Sequence, residues 1–187
     1  MQPLSDKERK ELLILARSVI TAKLHKGSKL HRPDEVSPSL LQKRGCFVTL
    51  HKEGSLRGCI GTIEPVRRLI DNVEENAVNA AFRDPRFPPL SEDELSAIDI
   101  EISVLTVPEI LPFENGKDLK NKLKPGIHGV ILTNDWRSST FLPQVWEQLP
   151  SRESFLEHLC LKGGMGKNCW NNKNTEVKTY TAEYFSE

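Results

Sequence analysis

The stretch Cys46-Phe47-Val48-Thr49-Leu50-His51-Lys52-Glu53-Gly54-Ser55-Leu56-Arg57-Gly58-Cys59-Ile60-Gly61 decides how the first part of this chain folds. Two runs rich in apolar and β-branched residues flank Lys52-Glu53-Gly54, and a three-residue loop that ends in glycine is typical of a β-hairpin with a glycine bulge. That loop length fixes the expected cross-strand pairs, which are Leu50 with Leu56, Val48 with Gly58, His51 with Ser55, Thr49 with Arg57 and Phe47 with Cys59. The pattern therefore predicts one apolar face, with Leu50, Leu56 and Ile60, and one polar face, with Arg57, Cys59, Thr49 and His51.

Cys59 is the residue of the polar face with the clearest chemistry. A cysteine becomes nucleophilic as the thiolate, and a nearby guanidinium favours that form. Since residues two apart on a strand share a face, Arg57 and Cys59 are predicted to project side by side, while Gly58 and Gly61 allow a ligand or another backbone to approach closely. The structural alternative is a small buried cysteine beside a surface arginine, and residue types alone favour it.

Periodicity predicts helices and strands on both sides of the hairpin. Ser5 and Glu8 form a capping box for a helix that ends at about Leu24, and a loop without periodicity covers residues 25–43. The later predicted elements are a helix over 65–82, a capped turn at 91–95, a strand over 98–105 with a solvated acidic face, a helix over 116–124, strands over 127–133 and 138–142, a helix over 151–161 and a strand over 176–185. They describe an α+β fold, a mostly antiparallel sheet with flanking helices, in one domain over residues 5–187. We also consider a division into subdomains of about 5–112 and 113–187.

The charge balance and the apolar content of the chain exclude several classes of protein. Lys plus Arg and Asp plus Glu number 26 each among the 187 residues, which disfavours a general nucleic-acid-binding protein. No apolar run reaches the length of a membrane span, and the first residues lack the plan of a signal peptide, so we expect a cytoplasmic protein without a membrane segment. The four cysteines, Cys46, Cys59, Cys160 and Cys169, form no CxxC pair, and we expect all of them to be thiols.

Two further segments carry candidate site residues. His128 lies between Gly126 and Gly129 at a strand entry, where an imidazole has room to act as a base or a ligand, although a histidine bonded to the backbone is the favoured structural reading. Asp84-Pro85-Arg86-Phe87-Pro88-Pro89 is a stiff loop. It either presents Arg86 to an anionic ligand or only contains an internal contact between Asp84 and Arg86.

The histidines and cysteines lack the spacing of a metal site, and no phosphate-binding glycine loop is present. Glycines at 163, 164 and 166 follow a predicted helix, where glycine is an ordinary C-cap. We therefore predict no metal site, and the sequence identifies no cofactor.

Six blocks in this order carry a resemblance to a known family: Phe47-Val48-Thr49-Leu50, Leu56-Arg57-Gly58-Cys59-Ile60-Gly61, Ala80-Ala81-Phe82-Arg83-Asp84-Pro85-Arg86-Phe87-Pro88-Pro89-Leu90, Ile102-Ser103-Val104-Leu105, Gly126-Ile127-His128-Gly129-Val130 and Thr140-Phe141-Leu142-Pro143-Gln144-Val145. With them the chain resembles the AMME chromosomal region protein family, whose prokaryotic members are called AmmeMemoRadiSam system protein A. The Leu56–Gly61 block matches the signature of that family completely. The resemblance implies an α+β fold of two closely packed subdomains around a cleft, and partners that are a Memo-like protein and a radical S-adenosylmethionine enzyme.

The resemblance supplies no established activity, but it makes the signature residues the expected site, with His128 and the loop of Asp84 and Arg86 as expected neighbours. One hypothesis is an enzyme or enzyme component in which Cys59 is the nucleophile or redox thiol, Arg57 stabilises the thiolate and His128 transfers a proton. The alternative is a non-catalytic module that docks a partner protein or a small anion through Arg57 and Arg86. Nucleic-acid binding through the arginines is a weaker third reading.

Overall fold

The computed structural model describes residues 3–25, 30–33 and 35–187, so the predicted loop at 25–43 lies partly outside the described residues. Two compact units are present: the described residues up to Val107 together with Glu183–Glu187, and Pro108–Ala182. Each unit contains a four-stranded antiparallel sheet and helices, which confirms the predicted α+β class. Among the described residues, no helix is long and apolar enough to cross a membrane.

The elements in chain order are α1 (Asp6–Leu24), β1 (Cys46–Lys52), β2 (Ser55–Thr62), α2 (Leu69–Phe82), β3 (Ile98–Leu105), β4 (Glu109–Ile110), α3 (Gly116–Lys122), β5 (Gly129–Asn134), β6 (Arg137–Phe141), α4 (Val145–Gln148), α5 (Arg152–Lys162), β7 (Thr175–Tyr180) and β8 (Ala182–Ser186). Short 3₁₀ turns occur at Glu92–Glu94 and Cys169–Asn171. The strand order is β2-β1-β3-β8 in the first sheet and β4-β7-β5-β6 in the second.

Helix α1 begins where the sequence predicts. Ser5 is the N-cap, its hydroxyl accepts from the N–H of Glu8, and the Glu8 carboxylate accepts from the N–H of Ser5. The same carboxylate accepts from the hydroxyls of Ser37, at 2.6 Å, and of Ser39. These hydrogen bonds lower the pKa of Glu8 to about 2, and the one from the Ser37 hydroxyl contributes most. Glu8 therefore joins the helix start to the segment that precedes β1.

Helix α2 packs on the apolar side of the first sheet and starts at Leu69, so the prediction that it begins at residue 65 is wrong. The chain just before it is held against the start of β1, because the N–H of Arg44 donates to the C=O of Arg67 at 3.2 Å. Two buried side-chain amides of the helix also hold that end of β1. Asn72 donates to the C=O of Arg44 at 3.0 Å, and Asn76 donates to the C=O of Cys46 at 3.2 Å.

The predicted strand over 176–185 is two strands in two different sheets. Strand β7 pairs with β4 and β5, whereas β8 pairs with β3 at the edge of the first sheet. Contacts with the N-terminal part of the chain hold β8 in the first unit. The N–H of Leu4 donates to Glu183 at 3.2 Å, and Arg17 forms an ion pair with Glu187. Periodicity predicts one continuous strand here because a hydrophobic pattern does not show that the chain passes from one sheet to another.

The second unit contains a disulfide that the sequence analysis did not predict. Cys160 of α5 and Cys169 of the 3₁₀ turn are bonded, with their Cα atoms 6.0 Å apart. The intervening chain reverses through Gly163 and Gly164, whose N–H groups donate to carbonyls of the last turn of α5. The prediction that all four cysteines are thiols is therefore wrong for this pair, because residue spacing alone does not show which cysteines a chain reversal brings together.

Candidate functional site

The turn between β1 and β2 contains two residues, Glu53 and Gly54, rather than the predicted three. Their φ angles are 52° and 74°, in the left-handed region that a type I′ hairpin turn requires at both positions. Lys52 consequently belongs to β1 and pairs with Ser55.

Arg57 is a bulge in β2. Leu50 pairs with Gly58 and His51 pairs with Leu56, so Arg57 is the extra residue between these pairs. The predicted pairs are therefore wrong, and Thr49 lies opposite Cys59 while Phe47 lies opposite Gly61. Leu56 joins the face of His51, because directly opposite residues project on the same side of a sheet.

The guanidinium of Arg57 binds an acidic residue that the sequence analysis did not single out. Its Nε and Nη2 donate to the Glu94 carboxylate at 2.9 Å each, and Nη2 donates to the C=O of Pro88 at 3.0 Å. The hydrogen bonds from Arg57 are the main cause that lowers the pKa of Glu94. The prediction of a regular strand through Arg57 and Cys59 is wrong, because Arg57 is a bulge residue whose guanidinium attaches it to the turn at Glu92–Glu94 and to the proline-rich loop.

Asp84 and Arg86 bind the peptide groups of Cys59. The buried Asp84 carboxylate accepts from the N–H of Cys59 at 2.9 Å and from Arg86 through Nε at 2.9 Å, Nη2 at 2.6 Å and the backbone N–H at 3.1 Å. Nη2 of Arg86 also donates to the C=O of Cys59 at 3.2 Å. Since β2 is an edge strand, the ion pair occupies the N–H and C=O that a neighbouring strand would otherwise bind.

The electrostatics of this pair follow from its hydrogen bonds. The hydrogen bonds from Arg86 lower the pKa of Asp84 well below its usual range, and burial opposes them. The hydrogen bond to Asp84 raises the pKa of Arg86, burial opposes it, and the charge of Asp84 adds to the rise. Arg86 is therefore the guanidinium that lies close to Cys59, in the place that the sequence analysis gave to Arg57.

The thiol of Cys59 is half-buried and accepts a hydrogen bond from Oγ1 of Thr49 at 3.3 Å. The other free cysteine, Cys46, is fully buried, and burial raises the pKa of its thiol to about 12. Since Cys160 and Cys169 are bonded to each other, Cys59 is the one partly exposed thiol among the four cysteines, all of which the structure describes.

The two glycines of the Leu56–Gly61 block accommodate parts of the protein itself. A Cβ on Gly58 would lie 2.2 Å from the C=O oxygen of Ala80 in α2, and one on Gly61 would lie 2.3 Å from the ring of Phe47. Ile60 packs against the core of the first unit on the other face. Of the two close approaches expected at these glycines, by a ligand or by another backbone, Gly58 shows the second, and both glycines are explained by close packing around Cys59.

Strand β3 adds two acids to the polar face, Asp99 opposite His51 and Glu101 opposite Thr49. Glu101 pairs with Thr49 in register, so Cys59, Thr49 and Glu101 form a row across β2, β1 and β3. Glu101 is partly buried, although its strand was predicted to have a solvated acidic face. Strict alternation placed Glu101 off the core, but no sequence signal identified its cross-strand neighbours.

His128 belongs to the second unit, and its partners lie there. Its Nδ1 accepts from the N–H of Lys124 at 3.3 Å, and its C=O accepts from the indole of Trp146 at 2.7 Å. Burial lowers the pKa of this imidazole, and the charge of Lys124 lowers it further, so the ring is neutral at pH 7. Within the described part of the chain, no group of three His, Cys, Asp or Glu side chains is placed to hold a metal ion.

Comparisons with known proteins identify the family of the chain. A protein of Methanothermobacter thermautotrophicus is 41% identical over 99% of this chain and 97% of its own length, and Protein MK0488 of Methanopyrus kandleri is 40% identical over 94% of this chain and 86% of its own length. The crystal structure of the uncharacterized protein PH0010 from Pyrococcus horikoshii matches with a TM-score of 0.90 and 35% identity, over 98% of this chain and 93% of that one. The AMMECR1 family model matches residues 13–185. The chain therefore belongs to the AMMECR1 family.

Proposed function

We propose that this protein is an enzyme or enzyme component in which the thiol of Cys59 attacks an electrophilic carbon of a small substrate. The observation that carries the proposal is the environment of the thiol. Cys59 is half-buried, its sulfur accepts from Thr49 at 3.3 Å, and its N–H and C=O are held by Asp84 and Arg86. A nucleophile needs a fixed position, a hydrogen-bond donor and a nearby cation, and these contacts supply all three.

The proposed step is a displacement or an addition at carbon. The thiol first gives its proton to solvent, and an electron pair of Sγ then forms the S–C bond. The leaving group departs with the electrons of the bond that breaks, or the π electrons of a double bond move to its other atom. Arg86 provides positive charge beside the sulfur, and Asp84 positions Arg86 through three hydrogen bonds from its side chain and backbone.

The test is the second-order rate of alkylation by iodoacetamide at pH 7, with mass spectrometry to confirm the modified residue. Cys59 is the expected target because Cys46 is buried and the other two cysteines are bonded. We expect Thr49→Val and Arg86→Gln each to slow the reaction about threefold or more, because Thr49 donates to the sulfur and Arg86 to the C=O of Cys59. Arg83→Gln is the matched control, since Arg83 is exposed and donates to Asn79. Equal rates in all four proteins would end the proposal.

A binding module is the second candidate, and the exposure of Arg86 favours it. The Arg86 side chain is 53% exposed although its Asp84 partner is 2% exposed, an arrangement that presents a fixed cation at the surface. The partners implied by the family resemblance are a Memo-like protein and a radical S-adenosylmethionine enzyme. Titration calorimetry with a Memo-like protein separates the candidates: a docking module loses binding in Arg86→Gln and keeps it in Cys59→Ser, whereas a thiol enzyme needs Cys59 for reaction.

The expected role of His128 in proton transfer stays a prediction. His128→Asn keeps an acceptor for the N–H of Lys124 and removes the titrating ring. If the imidazole transfers protons for Cys59, this variant lowers the alkylation rate and flattens its pH profile. An unchanged profile would assign His128 to the structure of the second unit alone.

A further inference from the structure

The guanidinium of Arg86 has one edge that its known partners do not use. Nε and Nη2 donate to Asp84, and Nη2 also donates to the C=O of Cys59. In the described part of the chain, Nη1 of Arg86 has no hydrogen-bond partner. Because Arg86 is half-exposed and its loop contains Pro85, Pro88 and Pro89, this edge is held at the surface with little conformational freedom.

A second unused guanidinium nitrogen lies in the same cluster. Nη1 of Arg57 is buried without a hydrogen-bond partner, and the Arg57 side chain is only 9% exposed. The ring of Phe87 is shared by the two arginines, with its centroid 5.8 Å from Cζ of Arg57 and 5.5 Å from Cζ of Arg86. A buried N–H of a charged group without an acceptor is unfavourable, so the cluster has donors in excess of its acceptors.

Charged side chains surround these two guanidinium groups. Its hydrogen-bonded network contains three cations, Lys52, Arg57 and Arg86, and two carboxylates, Glu94 and Asp84. Both carboxylates already accept several hydrogen bonds. Strand β3 adds two more acids on this face, Asp99 opposite His51 and Glu101 opposite Thr49, and Thr49 separates Glu101 from Cys59 in the row across the sheet. An anion at the outer edge of Arg86 therefore meets a cation with an open N–H donor, at Nη1.

From these observations we infer that the substrate of Cys59 carries a carboxylate group, which binds the Nη1 edge of Arg86 while the thiol reacts at a neighbouring carbon. The inference rests on the proposed thiol chemistry and adds the substrate class. A carboxylate suits the site because one of its oxygens can accept a charge-assisted hydrogen bond from the open Nη1. In the reaction, Sγ displaces a leaving group from the carbon next to the carboxylate, the S–C bond forms, and the leaving group takes the electrons of the broken bond.

Iodoacetate and iodoacetamide are the probes, because they place the same leaving group beside a carboxylate and beside a neutral amide. The measured quantity is the ratio of the two alkylation rates at Cys59, divided by the same ratio for N-acetylcysteine amide in the same buffer. We expect this normalised ratio to be about three- to tenfold above one at low salt and to fall as salt is added. Arg86→Gln should return it to about one, and Arg83→Gln should leave it unchanged.

A normalised ratio at or below one in the wild-type protein would overturn the carboxylate inference. The iodoacetamide rate by itself reports on the thiol chemistry, so the two failures are distinguishable. A fast iodoacetamide reaction with a ratio near one leaves the thiol proposal standing and removes the anionic substrate. A ratio that stays high in Arg86→Gln would equally remove Arg86 as the carboxylate-binding group.

Discussion

Asp84→Asn should destabilise the first unit measurably, because this carboxylate joins the proline-rich loop to the edge of β2. It accepts from the N–H of Cys59 and from three donors of Arg86, and its side chain is 2% exposed. Removing one partner of a fully buried ion pair costs about 3–5 kcal/mol. Arg86 is 53% exposed and can be rehydrated, and asparagine keeps one acceptor, so the expected loss is about 2 kcal/mol.

The assay is urea unfolding followed by far-UV circular dichroism. Tryptophan fluorescence does not suit it, because Trp136, Trp146 and Trp170 all belong to the second unit, whereas α1 and α2 report on the first. Asp99→Asn is the matched control, since Asp99 is exposed on β3 of the same unit, and it should change the free energy of unfolding by less than about 0.5 kcal/mol. An Asp84→Asn protein as stable as this control would refute the reasoning.

The pH dependence of the same pair of proteins gives a second check. The folded-state pKa of Asp84 is lowered from its ordinary value of 3.8, so its ionised form stabilises the protein fully above that value. This contribution is lost as the pH falls through the folded-state pKa. The stability difference between wild type and Asp84→Asn should thus be constant near neutrality and shrink below about pH 4. A difference that grew on acidification would have the wrong sign.

Three further perturbations test other parts of the structure. Gly58→Ala places a methyl group 2.2 Å from a carbonyl oxygen of α2 and should destabilise the first unit by about 2–3 kcal/mol, whereas Gly166→Ala, with open space around it, should not. Glu8→Gln should lower the free energy of unfolding at pH 7, and the deficit should vanish as the pH falls from 4.5 towards about 2, where wild-type Glu8 also becomes protonated. Cys160→Ser should lower the stability of the second unit by about 2–3 kcal/mol in oxidising buffer, read by tryptophan fluorescence.

Each of these perturbations has a clear contrary outcome. A Gly58→Ala protein as stable as wild type would mean that α2 does not pack against β2 at that glycine. A Glu8→Gln deficit that persists at pH 2 would assign the effect to something other than the charge of Glu8. If a reducing agent leaves the unfolding of the wild-type second unit unchanged, the bond between Cys160 and Cys169 does not stabilise it.

Local chemistry made much of the fold predictable. Ser5 and Glu8 have the spacing of a capping box, so the start of α1 could be assigned from two residues. Strict alternation along Ile98–Leu105 identified β3, because one face of that strand is buried in the core. The apolar stripe of α2 was predictable in the same way. Its first residue was not, because a backbone hydrogen bond between Arg44 and Arg67 holds the chain that precedes the helix.

The register of the hairpin could not be predicted in the same way. Lys52-Glu53-Gly54 fits a three-residue loop, and a two-residue turn requires Glu53 to adopt a positive φ, which is uncommon for glutamate. The bulge at Arg57 then shifts the pairing, so the observed cross-strand neighbours differ from the predicted ones. The central residues of the two strands are nevertheless those that the sequence predicts. For the same reason Arg86, rather than Arg57, became the cation beside Cys59.

Partners that lie far apart in sequence were also beyond prediction. Glu94 binds Arg57 from 37 residues away, and Glu101 reaches the row of Cys59 only through the pairing of β1 with β3. The spacing of Ser91 and Glu94 indicated a capped turn, but nothing in the sequence showed that the carboxylate also binds an arginine.

The central claim is that Cys59 is a reactive thiol, and its rate of alkylation in the native wild-type protein tests that claim most directly. The measurement is the second-order rate with iodoacetamide at pH 7, compared with N-acetylcysteine amide, with peptide mapping to locate the modification. We predict a rate at Cys59 about five- to tenfold above that of the model thiol, with Cys46 unmodified. A rate at or below that of the model thiol would contradict it.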